Sequence, residues 1–182
     1  MTLPRQPAQV RNHTMKARTA LPLLLLALLG NPVYAACDDG VAIKHAKAFW
    51  EHHRNFYYTD PARIKELLTP DFFSVLSREA ECNADGEVCA IDADPWTNAQ
   101  DGDVVEPITF SATSSSDSTV AVTMRYRLAM TDTRQEPQEV TLQLQKSGDQ
   151  RCFLLDDFIP PGEGSLKKQL QQWQLQNDGG QQ

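Results

Sequence analysis

The sequence predicts an α+β domain: N-terminal helices packed on a curved four-stranded antiparallel meander, with a short C-terminal helix. Apolar residues recur at helical spacing between residues 41 and 76, alternate at period two between 108 and 158, and return to helical spacing after 165. Helices followed by strands with short polar links favour helices covering one face of an antiparallel sheet over a parallel α/β layering.

Residues 1–35 stand apart from that domain. They carry Arg5, Arg11, Lys16 and Arg18, no acidic residue, an apolar block from Leu21 to Leu29, and small residues at Val33-Tyr34-Ala35. That order reads as a signal peptide cleaved after Ala35, with Met15 as an alternative start giving a leader of ordinary length. The block is far short of the roughly 20 apolar residues that a membrane span needs. A single domain is expected over 36–175, with 176–182 as a frayed tail.

The first helix is expected from Val41 to Tyr57, with Ile43, Ala46, Phe49, Trp50, His53, Phe56 and Tyr57 on its apolar face. Thr59-Asp60-Pro61 ends it and opens a second, Asp60 capping and Pro61 in first position, with Ile64, Leu67 and Leu68 inward. Thr69-Pro70 repeats the signal for a third, with Phe72, Phe73 and Leu76 inward. Residues 82–103 hold no sustained period and read as a long structured loop. Ile108, Phe110 and Ala112 mark a first strand. Thr119 to Met130 alternates cleanly, with Val120, Val122, Met124, Tyr126, Leu128 and Met130 on one face. Val140, Leu142 and Leu144 mark a third strand and Arg151 to Phe158 a fourth. Pro160-Pro161-Gly162 stops the last strand, and Ser165 caps a helix carrying Leu166, Leu170 and Trp173.

Cys37, Cys82, Cys89 and Cys152 all follow the leader. Four cysteines in an exported chain read as two disulfides, with three connectivities open. Asp85-Gly86 favours a turn that brings Cys82 to Cys89, which leaves Cys37 for Cys152. Cys-x6-Cys without a nearby His pair fits no common zinc site. Tyr34 stands where a lipobox carries Leu, and lipidation of Cys37 would strand one cysteine, so a soluble periplasmic protein is expected.

The whole chain has a formal charge of −7. Four of its seventeen basic residues fall in 1–35, leaving thirteen against twenty-four acidic ones, a charge of −11. Such a domain has no general field for nucleic acid.

Helices followed by a curved antiparallel sheet resemble the cystatin-like, nuclear-transport-factor-2-like α+β superfamily. Asp92-Ala93-Asp94-Pro95-Trp96 through Gln100-Asp101, Leu154-Leu155-Asp156-Asp157-Phe158 and Gly164-Ser165-Leu166 resemble a bacterial family of exported domains of unknown function, over roughly 40–175. The resemblance implies the fold. It implies no reaction, because that fold hosts isomerases, dehydratases, binding modules and inhibitors.

No catalytic spacing emerges. Counting from Asp92 as a calcium loop puts Trp96 fifth and Thr97 sixth, where Gly is required. His45, His52 and His53 lack the partners of a hydrolase or zinc motif and read as helix-surface residues. Tyr57, Tyr58, Tyr126, Asp92 and Asp156 supply the residue types of an isomerase cup, but Asp156 and Asp157 should face opposite sides of a strand. No metal or cofactor is therefore expected. Relatives under the resemblance include immunity and inhibitor proteins that cap a toxin. The expectation is a non-enzymatic protein-binding module with a basic toxin or effector as partner, the alternative being a small-molecule-binding or isomerase-like cup. Asp92, Asp94, Gln100 and Asp101 are the candidate contact residues, with Trp96 a core plug. Intact mass of the exported chain tests the processing: a chain starting at Ala36 is expected, and a diacylglyceryl mass on Cys37 overturns it.

Overall fold

In a computed structural model, residues 37–84, 86–131, 133–148 and 151–178 are described. The leader, its cleavage site and the alternative start lie outside them, as do residues 179–182 of the expected tail. The elements run α1 (Asp39–His53), two 3-10 turns (Pro61–Arg63 and Lys65–Leu67), α2 (Pro70–Ala84), β1 (Asp103–Ser114), β2 (Thr119–Ala129), β3 (Gln135–Lys146), β4 (Phe153–Ile159) and α3 (Leu166–Asp178). The four strands form one antiparallel sheet in the order β1-β2-β3-β4, the expected meander. The molecule has the predicted α+β class.

Helix starts follow their caps. Asp38 accepts from Val41 N–H at 2.9 Å, Thr69 Oγ1 from Phe72 N–H at 3.3 Å, and Ser165 Oγ from Lys168 N–H at 3.0 Å. Helix α1 ends at His53, short of Tyr57, in a turn closed by Phe56 N–H on the His53 carbonyl. The expected second helix is instead two separate 3-10 turns. Two constraints shorten it. Pro70 biases the preceding residue toward extended backbone, and Leu68 is pulled alongside β4, where it bridges Leu155 and Thr69 N–H donates to the Leu155 carbonyl at 2.9 Å. Helix α2 runs to Ala84, so Cys82 sits in its last turn rather than in the loop. Helix α3 continues to Asp178, into the segment expected to fray.

The core lies between the helices and one sheet face. Val120, Val122, Met124, Tyr126 and Leu128 of β2 join Val140, Leu142 and Leu144 of β3 and Phe153, Leu155 and Phe158 of β4, all buried. Ala42, Ala46 and Phe49 of α1, Phe72, Val75 and Leu76 of α2, and Leu166 and Leu170 of α3 cover them. Met130 falls beyond the end of β2 and is exposed. Gly102 admits β1 to the sheet: its φ is +110°, and a Cβ there would lie 2.9 Å from Leu128 Cδ1. The opposite face is open and polar, with Thr123 against Thr141 at 3.2 Å and Arg125 bonded to Glu139 at 3.1 Å and Ser111 at 3.0 Å.

Cys37 pairs with Cys152 and Cys82 with Cys89, at sequence separations of 115 and 7. In the chain-entropy account the longer closed loop contributes more. Replacing Cys37 and Cys152 by Ser should cost on the order of 2–4 kcal/mol in urea unfolding. The Cys82/Cys89 pair should cost less.

Candidate functional site

The acidic loop between α2 and β1 is fastened at several points. Cys89 is bonded back to α2 through Cys82. Glu79, buried on α2, accepts from Ile91 N–H at 2.8 Å and Ala90 N–H at 3.2 Å. Two backbone amides satisfy a carboxylate that would otherwise be costly to bury. Asp94 then builds a tight turn: its Oδ1 accepts from Trp96 N–H at 2.9 Å, and its carbonyl accepts from Thr97 and Asn98 N–H at 3.1 and 2.7 Å. Asn98, in the left-handed region at φ 48°, donates through Nδ2 to the Pro161 carbonyl and to Glu163, both at 3.2 Å.

That turn drives Trp96 into the core. Its indole is 1 % exposed, edge-on to Trp50 at 4.8 Å and to Phe158 at 4.7 Å, with Phe49 and Phe56 also against it. Both of its polar ends are satisfied. Nε1–H donates to the Arg54 carbonyl at 2.8 Å, and the Trp96 carbonyl accepts from Tyr126 Oη. Burial, reinforced by the Asp94 charge, raises the Tyr126 hydroxyl well above its ordinary range. Tyr57 shifts the same way, from burial first and then from the charge of Asp94 and a hydrogen bond to it. Both phenols are thus donors rather than phenolates at neutral pH.

The sequence candidates therefore separate into two kinds. Asp92, Gln100 and Asp101 are exposed on the loop. Asp94 is half-buried, its carboxylate engaged by the loop's own backbone and by Tyr57. Asp156 and Asp157 are also placed differently from the expectation of opposite faces. The β3–β4 register shifts between Gln143 and Leu144, so Asp156 is the extra residue of a bulge. Both carboxylates reach Lys167: Asp156 accepts from its Nζ at 2.8 Å and from Thr69 Oγ1 at 2.8 Å, while Asp157 accepts its backbone N–H at 2.9 Å. They dock the start of α3 onto the sheet. Glu79 is a further support of this loop, and its place three residues after Leu76 on the buried α2 stripe is the sequence signal for it.

His45 is half-buried, with its Nε2 unpaired; burial first, then the neighbouring charge of His53, lowers its pKa. His53 packs on Phe49 at 5.5 Å and is lowered by burial and then by His52. Among the described residues no group of three or more His, Cys, Asp or Glu is arranged to hold a metal. No described helix is long and apolar enough to cross a membrane. A cleft of about 640 Å³ opens on the surface between residues 57–62 and α2, lined by Tyr57, Tyr58, Pro61, Phe73, Ser77 and Glu81. It lies outside the space between helices and sheet, which Trp96 and its neighbours fill.

No protein-family model matches the chain, no curated protein is detectably similar to it, and no solved structure matches it.

Truncating Trp96 to Ala should cost about 3–5 kcal/mol, as for other large buried aromatics. Asp92→Asn and Asp101→Asn, exposed and outside the turn, should stay within about 0.5 kcal/mol of the parent. Denaturant midpoints of the three variants measure the difference.

Proposed function

We propose that this chain is an exported, non-enzymatic module of the cystatin-like, nuclear-transport-factor-2-like superfamily that acts in the periplasm by binding another protein, as an immunity-type inhibitor of a toxin acting there. The observation that carries this reading is the division of labour in the acidic loop. Trp96, Asp94 and Glu79 hold its backbone rigidly, while Asp92, Gln100 and Asp101 stay exposed. A loop ordered before binding loses little freedom on association. The charge of −11 after the leader steers a basic partner toward it and raises the association rate. Between the helices and the sheet, Trp96, Phe49, Phe56 and Phe158 pack ring against ring.

The second reading, a small-molecule binder, is favoured by the 640 Å³ cleft beside Tyr57 and Tyr58, the latter 76 % exposed. Affinity capture from the native periplasm followed by calorimetry separates the two. Protein binding should slow as salt rises, and the combined Asp92→Asn, Gln100→Ala, Asp101→Asn variant should associate about tenfold more slowly. A small molecule that raises the melting temperature with its concentration, with no protein retained, would replace this reading with the second.

A further inference from the structure

The two edges of the sheet are protected unequally. β4 is short, and Leu68-Thr69 run beside it and take up the Leu155 carbonyl. β1 is blunted only near its start, by Pro107 and by a register shift against β2 between Val105 and Thr109. From Thr109 to Ser114 it then runs in unbroken register with β2, and no described strand lies on its other side. Edges are usually guarded by charge. Here no charged residue occurs from Pro107 to Ser116, in a chain that is 23 % charged.

The free backbone groups on this edge can be assigned. Ser115 N–H donates to the Thr119 carbonyl, and antiparallel pairs alternate between bonded and non-bonded. Thr109, Ser111 and Thr113 therefore spend their backbone groups on β2. Phe110, Ala112 and Ser114 aim theirs away from the sheet. Helix α1 runs along the same strand in the opposite direction. Asp39 Oδ1 accepts from Ser114 Oγ at 3.0 Å, and Lys47 Nζ lies 5.6 Å from the Phe110 ring centre. Ile43 is midway between them in sequence and partly buried.

We propose that a second copy of this chain pairs with this edge, the two β1 strands running antiparallel about a two-fold axis at Ala112, so that two four-stranded sheets become one of eight. In that register Phe110 lies opposite Ser114 of the second copy and Ser111 opposite Thr113, so every residue meets one on its own face of the sheet. The outward amides of Phe110, Ala112 and Ser114 all find carbonyls. The register also brings opposite charges together. Lys47 attends Phe110 and Asp39 attends Ser114, so Lys47 of each copy falls alongside Asp39 of the other, twice by symmetry. A register centred on Ser111 would move those charges out of line. This is what favours a second copy over a foreign strand: the edge is complementary to itself in hydrogen bonding, side-chain facing and charge. The dimer stands independently of the inhibitor reading.

Sedimentation equilibrium of protein purified from its own cells tests it, with a mass of two chains expected at concentrations on the order of 100 μM. Amide exchange of Phe110, Ala112 and Ser114 should slow as concentration rises. Ala112→Pro removes an N–H that points away from β2 and pairs with no described strand, so near-UV circular dichroism should be unchanged while the dimer weakens about tenfold or more. Lys47→Asp should weaken it as well, and the exchange Asp39→Lys with Lys47→Asp should restore it. A monomer at that concentration, a dimer indifferent to Ala112→Pro, or a double exchange no better than Lys47→Asp overturns the proposal.

Discussion

The structure depends on the insertion of one indole. Trp96 belongs to an irregular loop, yet it contacts α1 through Trp50 and Phe49, the following turn through Phe56 and the Arg54 carbonyl, and the sheet through Phe158 and Tyr126. Helices and sheet could bury their apolar stripes against each other only if something filled the wedge between them, since interiors tolerate few voids. Trp96 is that filler. Its two hydrogen bonds fix it as well as bury it, because the N–H and carbonyl would each be left unsatisfied in any other seat.

The loop that delivers Trp96 is correspondingly expensive to order, and the structure shows how the order is obtained. Glu79 takes two loop amides, Asp94 takes one, Asn98 reaches across to the turn after β4, and Cys82–Cys89 closes the entry. Apart from the disulfide each fastening is a hydrogen bond, so backbone groups of the loop are satisfied without belonging to the sheet. Acidity serves two ends here. Some carboxylates hold the loop, and others remain exposed at the surface.

Much of this was legible in the sequence because it rests on local chemistry. The caps at Asp60, Thr69 and Ser165, the alternation of β2 and β3 and the turn between Cys82 and Cys89 are short-range signals, and each holds in the structure. What escaped depends on contacts distant in sequence. Leu68 leaves helical geometry because Leu155, 87 positions on, offers a strand edge. The bulge at Asp156 reverses the phase of β4, so Phe153 and Leu155 are followed inward by Phe158. Period-two reasoning cannot foresee an inserted residue. In the candidate loop Asp92, Gln100 and Asp101 are exposed, whereas the inward turn of Asp94 is a property of the folded loop alone.

The bridge between Cys37 and Cys152 has a consequence in time. It joins Cys37, two residues before α1, to the residue just before β4, so the first helix and the last strand are clamped by a bond that forms only after nearly all of the chain exists. Until an oxidant closes it, α1 is held by packing and a few hydrogen bonds, and its departure would uncover the indole beneath. A newly made, reduced chain is thus a looser object than the finished one. Oxidation then acts as a latch that holds α1 over the sheet.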